Sequence, residues 1–121
     1  MSENSKLVPN NVAYPFVASF RELQRIIHAS AREKGFYETP PSQPERIALM
    51  HSELSEALEA YRHGDPPDNH IPQFSGMEAE FADTIIRIMD DAEYHGLNVV
   101  AAILAKIEYN ATRPYKHGKK C

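Results

Sequence analysis

A chain of 121 residues is the size of one domain, long enough for a core yet short enough that a second copy can help to complete it. No apolar run approaches the roughly 18 residues of a membrane span, and the one cysteine, Cys121, excludes an intrachain disulfide and a thiolate zinc cluster. The net charge of −4 is unevenly divided: residues 1–99 carry 8 basic against 16 acidic groups, and residues 100–121 carry 5 against 1. An acidic body with a basic end suits a cation site facing an anionic substrate better than it suits duplex nucleic acid, although an ordinary acidic protein with a basic tail has the same balance.

Residues 1–14 read as a flexible N-terminal arm; Met1 to Asn11 are polar and lack the basic start and apolar centre of a secretory signal, so the cytoplasm is the expected compartment. From Pro15 to Lys34 the chain reads as a first helix, with Phe16, Phe20, Leu23, Ile26 and Ile27 at helical spacing and Gly35 as its stop. A second helix starts near Ser42 or Pro44, with Ser42 and Glu45 spaced as a capping box, and runs to about His63, with Gly64 as its stop. Its main apolar face is Ile47, Met50, Leu54, Ala57, Leu58 and Tyr61. Asp65 to Ser75, with Pro66, Pro67 and Pro72, reads as an irregular, mobile loop.

A third helix follows from Gly76 or Met77 to about His95, with Phe81, Ile85, Ile88 and Ala92 on one face and Gly96 as a stop. Asn98 is placed to cap a fourth, which runs from Val99 to about Thr112, ahead of Pro114. No segment alternates with period two long enough to be a strand. The expected architecture is an all-α, four-helix bundle-like domain over residues 15–113, followed by a basic C-terminal tail over residues 114–121.

Two carboxylate pairs, Glu53-x-x-Glu56 and Glu80-x-x-Asp83, fall on the second and third helices. Side chains three apart on a helix are neighbours, so each pair presents its oxygens to one place. Taken singly, such a pair is ordinarily a solvated helix face, and Glu56 lies almost opposite the main apolar face of its helix. Against this, Leu49, Glu53, Glu56 and Ala60 form a stripe of their own that can face a second surface. Crowded carboxylates that lose hydration are usually compensated by a divalent cation, and hard oxygen donors select Mg²⁺ or Mn²⁺.

On the fourth helix Lys106, Asn110 and Arg113 recur along one face as an ammonium, an amide and a guanidinium, all suited to phosphate. Lys116, His117, Gly118, Lys119 and Lys120 follow as a cationic segment able to fold over an anion. Carboxylates for a hard cation together with phosphate donors are the equipment of phosphoryl chemistry. The chain has no Glu-x-x-His motif of a di-iron bundle, no glycine-rich phosphate loop and no nucleophile motif, which leaves cation-assisted hydrolysis. Phe16, Phe20, Gln24 and His28 share one side of the first helix; they fit base stacking and reading, or ordinary packing.

Glu53-x-x-Glu56, then Glu80-x-x-Asp83 after 23 residues, then Lys106-x-x-x-Asn110-x-x-Arg113-Pro114 and the His117-Gly118-Lys119 tail, resemble the MazG-like all-α nucleoside triphosphate pyrophosphatases. The resemblance spans residues 16–119. It implies a helical homodimer or dimer of dimers with sites at subunit contacts. It also implies Mg²⁺-dependent cleavage of a (deoxy)nucleoside triphosphate between the α and β phosphates, giving the monophosphate and pyrophosphate. By carry-over, Glu53, Glu56, Glu80 and Asp83 hold the metal, and Glu53 or Glu56 also orients the attacking water. Lys106, Asn110 and Arg113 contact the triphosphate, with Lys119 of the tail beside them; Gln24 and His28, from their spacing on the first helix, are the candidate contacts to the base. Two alternatives stay open: a phosphoribosyl-ATP pyrophosphohydrolase, and a helical interaction module that binds nucleotide without cleaving it. No membrane and no nucleic-acid partner is expected.

Overall fold

The computed structural model describes residues 6–118, with side chains for residues 6–116. Four α-helices make up most of the chain: α1 (Asn10–Glu33), α2 (Gln43–Arg62), α3 (Gly76–His95) and α4 (Val99–Ala111), followed by a 3-10 turn at Tyr115–Gly118. The fold is all-α, as the periodicity predicts, and the one β-type pairing among the described residues is a single bridge between Pro67 and Ser75. No helix among these residues is long and apolar enough to cross a membrane.

The first helix differs from the sequence expectation. It begins at Asn10, so residues 10–14 of the expected arm are helical and Pro15 lies inside the helix. Proline cannot donate to the carbonyl of Asn11, but that turn is exposed, and the ring's fixed φ is compatible with a helix. The chain ahead of α1 is fastened from the far end of the molecule: Glu108 of α4 accepts the N–H groups of Leu7 at 2.8 Å and Val8 at 2.9 Å. Those two bonds hold the Glu108 carboxyl below its ordinary range.

The other boundaries follow local chemistry. Ser42 Oγ accepts the Glu45 N–H at 3.4 Å and caps α2, while Ser75 and Glu78 form both halves of a capping box on α3. Gly96 closes α3 at φ 66°, and the Asn98 side chain caps α4 by accepting from Ala101 N–H. The loop expected to be mobile is tied across itself. Gly76 N–H donates to Pro66 O at 2.8 Å, Asp68 N–H to Phe74 O at 2.9 Å, and Met77 N–H to the Asp65 carboxylate at 2.8 Å.

Helix α3 is the centre of the arrangement, with α2 along one side, α1 along another, and α4 packed mainly on α1. Gln43 at the start of α2 bonds Asp91 near the end of α3, and Ala60 near the end of α2 touches Gly76 at the start of α3, so the two run antiparallel. A Cβ on Gly76 would stand 2.8 Å from the Ala60 Cβ, so glycine permits that close approach.

Burial within the chain inverts part of the expectation. The stripe of α2 that turns inward is Arg46, Met50, Glu53, Ala57 and Ala60, whereas Ile47, Leu54, Leu58 and Tyr61 of the expected apolar face are exposed. Phe81 and Ile85 on α3 and Leu23 and Ile26 on α1 are likewise about half exposed. Among the described residues the buried apolar ones are Ala57, Ala79, Met89, Ala92 and Val100, and they share the interior with Gln24, His28, Arg46, Glu53, Thr84 and Asp91. Small residues, Met89, Val100 and a polar network occupy the space between helices, and many of the large aliphatic side chains of α1, α2 and α3 face outward. Burying the remaining half of one such side chain is worth about 1 kcal/mol.

Candidate metal centre

The antiparallel packing of α2 against α3 brings the two carboxylate motifs together. Ala57, one turn beyond Glu53, and Ala79, adjacent to Glu80, are both buried and let the helices approach there. Oxygen atoms of Glu53, Glu80 and Asp83 lie within 4.8 Å of one another. Glu56 stands at the exposed rim, outside this group, and hydrogen-bonds to Glu80.

The electrostatics fit a cation. Burial first, then hydrogen bonds shared with Glu53 and Glu56, push Glu80 up to about 8. Burial and the neighbouring charge of Glu53 also raise Asp83, with Arg87 opposing. Glu53 moves the other way: burial acts to raise it, but the hydrogen bonds from Glu80 and Arg87, with the Arg87 charge, outweigh burial and lower it. Glu80 Oε2 is buried without a hydrogen-bond partner. A buried lone pair left unsatisfied among like charges is what a hard divalent ion would engage, so the donor set fits Mg²⁺ or Mn²⁺.

A cavity of about 780 Å³ opens beside these carboxylates, with Glu53, Asp83 and Arg87 in its wall. That volume lies within the range of small-molecule sites. Ile26, Ile27, Phe36, Met50 and Ile86 give it an apolar side, and Lys34, Tyr37, Arg46 and Asp90 a polar one. Arg87 donates from Nε to Glu53 Oε1 at 2.9 Å.

Behind the cavity a polar network joins α1, α2 and α3. Tyr37 OH donates to Asp90 Oδ2 at 2.6 Å and accepts from Arg46 Nη1 at 2.9 Å. Its phenol is pushed up to about 12, by burial first and by the Asp90 bond second, so it remains a donor. The Arg46 guanidinium packs on the rings of Tyr37 and Tyr94. His28 accepts from Arg32 at Nε2, which leaves the proton on Nδ1 for Asp90 Oδ1 at 2.8 Å. Gln43 extends the chain from Asp91 to His95.

The structure places the residues expected in the site unequally. Glu53, Glu80 and Asp83 converge, with Glu56 beside them. Gln24 and His28 do not line the cavity; both are buried, with Gln24 donating to Glu93 at 3.0 Å and both His28 nitrogens engaged inside the chain. Their helical spacing gave no sign of these partners, which lie on α3 and further along α1. Lys106, Asn110 and Arg113 do not line the cavity either; Lys106 and Arg113 lie over the Tyr109 ring at 5.1 and 5.9 Å. Lys119 lies outside the described residues.

Sequence reasoning missed Arg87, Arg46 and Tyr37. For two of them a signal existed: Arg87 is one turn after Asp83, and Arg46 is two turns before Glu53 on its stripe. Tyr37 comes from a loop, where spacing carries no such information. No family model, curated protein or solved structure matches the chain.

Proposed function

We propose that this chain is a Mg²⁺-dependent nucleoside triphosphate pyrophosphatase with a MazG-type fold, hydrolysing a (deoxy)nucleoside triphosphate between the α and β phosphates. The observation that carries this reading is the convergence of Glu53, Glu80 and Asp83 within 4.8 Å, at the wall of a cavity of about 780 Å³. Glu53, Glu80 and Asp83 would hold the ion. A divalent ion there supplies Lewis acidity, offsetting the charge that develops on the phosphate oxygens. Glu56, at the rim and outside the three-carboxylate group, orients a water molecule and takes its proton. As the water oxygen bonds to phosphorus, the α–β bridging bond breaks and pyrophosphate leaves with the bridging oxygen. The apolar wall of Ile26, Ile27 and Met50 excludes water from the remainder of the substrate.

Homodimerisation, or assembly as a dimer of dimers, belongs to the same reading. It is supported by the exposure of Ile47, Leu54, Leu58 and Tyr61 on α2. Lys106, Asn110 and Arg113, remote from the chain's own cavity, then meet phosphates at a contact between copies. A cytoplasmic nucleotide pool supplies the substrate.

The test is a panel of ordinary and modified nucleoside triphosphates, with phosphoribosyl-ATP, assayed for pyrophosphate release in Mg²⁺. Turnover of free triphosphates at a kcat/KM of at least about 10⁴ M⁻¹s⁻¹ is expected. Exclusive turnover of phosphoribosyl-ATP would move the assignment to that pyrophosphohydrolase, and Mg²⁺-dependent binding without turnover to the non-catalytic module.

A further inference from the structure

Three cationic side chains line the cavity beside the carboxylates, and they are held differently. Arg46 is nine-tenths buried, bonded to Tyr37 and packed on two rings, so it is fixed in place. Lys34 lies on the outer wall. Arg87 alone of the three bonds a carboxylate of the cluster, through Nε to Glu53 Oε1 at 2.9 Å. Its side chain is 40% exposed, against 11% for that of Glu53. The guanidinium head can therefore turn away from Glu53 without unpacking the helix that carries it.

Two consequences follow from this placement. Glu53 is also the most buried member of the three-carboxylate group, so a cation engaging it must contend with Arg87 for the same oxygens. A partly exposed ion pair is a weak hold, so Arg87 yields readily to a divalent charge. The released guanidinium remains charged, in the wall of the cavity and one turn along α3 from Asp83, where a planar fork suits phosphate oxygens. Arg46 adds a second positive charge to the cavity wall; its Nη1 lies 3.8 Å from Asp91 Oδ1, and its buried Nε and Nη2 make no hydrogen bond.

We propose that Arg87 and a divalent cation compete for Glu53, and that Arg87, once displaced, binds the phosphates of the substrate from the cavity wall. Arg87 is thus a positioning residue that couples cation binding to phosphate binding. The inference rests on the pyrophosphatase reading for its cation and its substrate class. It assigns phosphate contact to a residue of α3 in the same chain as the carboxylates.

The test uses the full chain, Mn²⁺ and inorganic tripolyphosphate, which has no base to confuse the result. Calorimetric titration without phosphate should show Arg87→Gln binding Mn²⁺ about three- to fivefold more tightly than the wild type, because no resident partner need be displaced. At saturating Mn²⁺ the same variant should bind tripolyphosphate about tenfold more weakly. Arg87→Lys keeps the charge but loses the fork; it should retain tripolyphosphate affinity to within about threefold and serves if the glutamine variant does not fold. A residue with a purely structural role would not move the two affinities in opposite directions. Equal or weaker Mn²⁺ binding by folded Arg87→Gln overturns the competition while leaving the pyrophosphatase reading in place. Absence of Mn²⁺ binding by the wild type overturns both.

Discussion

Between Glu53 and Glu56, Glu80 carries a carboxyl pushed up to about 8 from an ordinary 4.5, by burial first and by its shared hydrogen bonds second. A carboxyl whose folded pKa is raised binds a proton more firmly in the folded chain than in the unfolded one. Its contribution to stability is complete below the ordinary value and is lost as pH rises through about 8. Asp83, also raised, acts with the same sign, whereas Glu53, lowered, matters only at more acidic pH. In chelator-treated protein the thermal midpoint should therefore fall between about pH 5 and pH 8. Glu80→Gln, which keeps a hydrogen-bond donor and removes the titration, should flatten that fall. Added Mg²⁺ should restore most stability at the alkaline end, where cation and proton no longer compete. Differential scanning fluorimetry across pH reads all three, and a wild-type profile that rises over this interval would contradict the assigned protonation.

Helix α2 carries two stripes offset by one residue: Arg46, Met50, Glu53, Ala57 and Ala60 turn inward, and Ile47, Leu54, Leu58 and Tyr61 turn outward. A strongly apolar stripe was the natural choice for the core, and periodicity alone favoured it. Periodicity identifies a face that wants burial and does not say whether the same chain or another buries it. The stripe bearing Glu53 won the inner position because alanines allow α2 and α3 to close on each other, and because Arg46 and Glu53 find partners there. If the outward stripe is an interface between copies, Leu58→Glu should reduce the sedimenting mass to that of one chain while leaving helical circular dichroism intact. Its half-exposed position makes the change mild for the single chain. An unchanged mass in Leu58→Glu would remove this face from the assembly.

At the scale of the molecule, the four helices were legible because their ends carry punctuation: Ser42 and Asn98 as caps, and Gly35, Gly64 and Gly96, at φ above +60°, as stops; the Ser75–Glu78 capping box of α3 went unread. The start of α1 was not, since Pro15 reads as a first-turn residue and the bonds from Leu7 and Val8 to Glu108 span nearly the whole chain. The carboxylate half of the site was legible from spacing on two helices. The cavity wall was not, because Tyr37, Arg46, Arg87 and Asp90 come together from two helices and a loop. What joins these parts is a single claim, that Glu53, Glu80 and Asp83 serve a divalent cation in triphosphate cleavage. The most direct test follows the products by phosphorus NMR for the wild type and Asp83→Asn, each with Mg²⁺ and again after chelation. The wild type should release monophosphate and pyrophosphate only with Mg²⁺, and Asp83→Asn should be slower by at least about a hundredfold while remaining helical. Turnover that survives chelation, products of diphosphate and orthophosphate, or full activity in Asp83→Asn would contradict it.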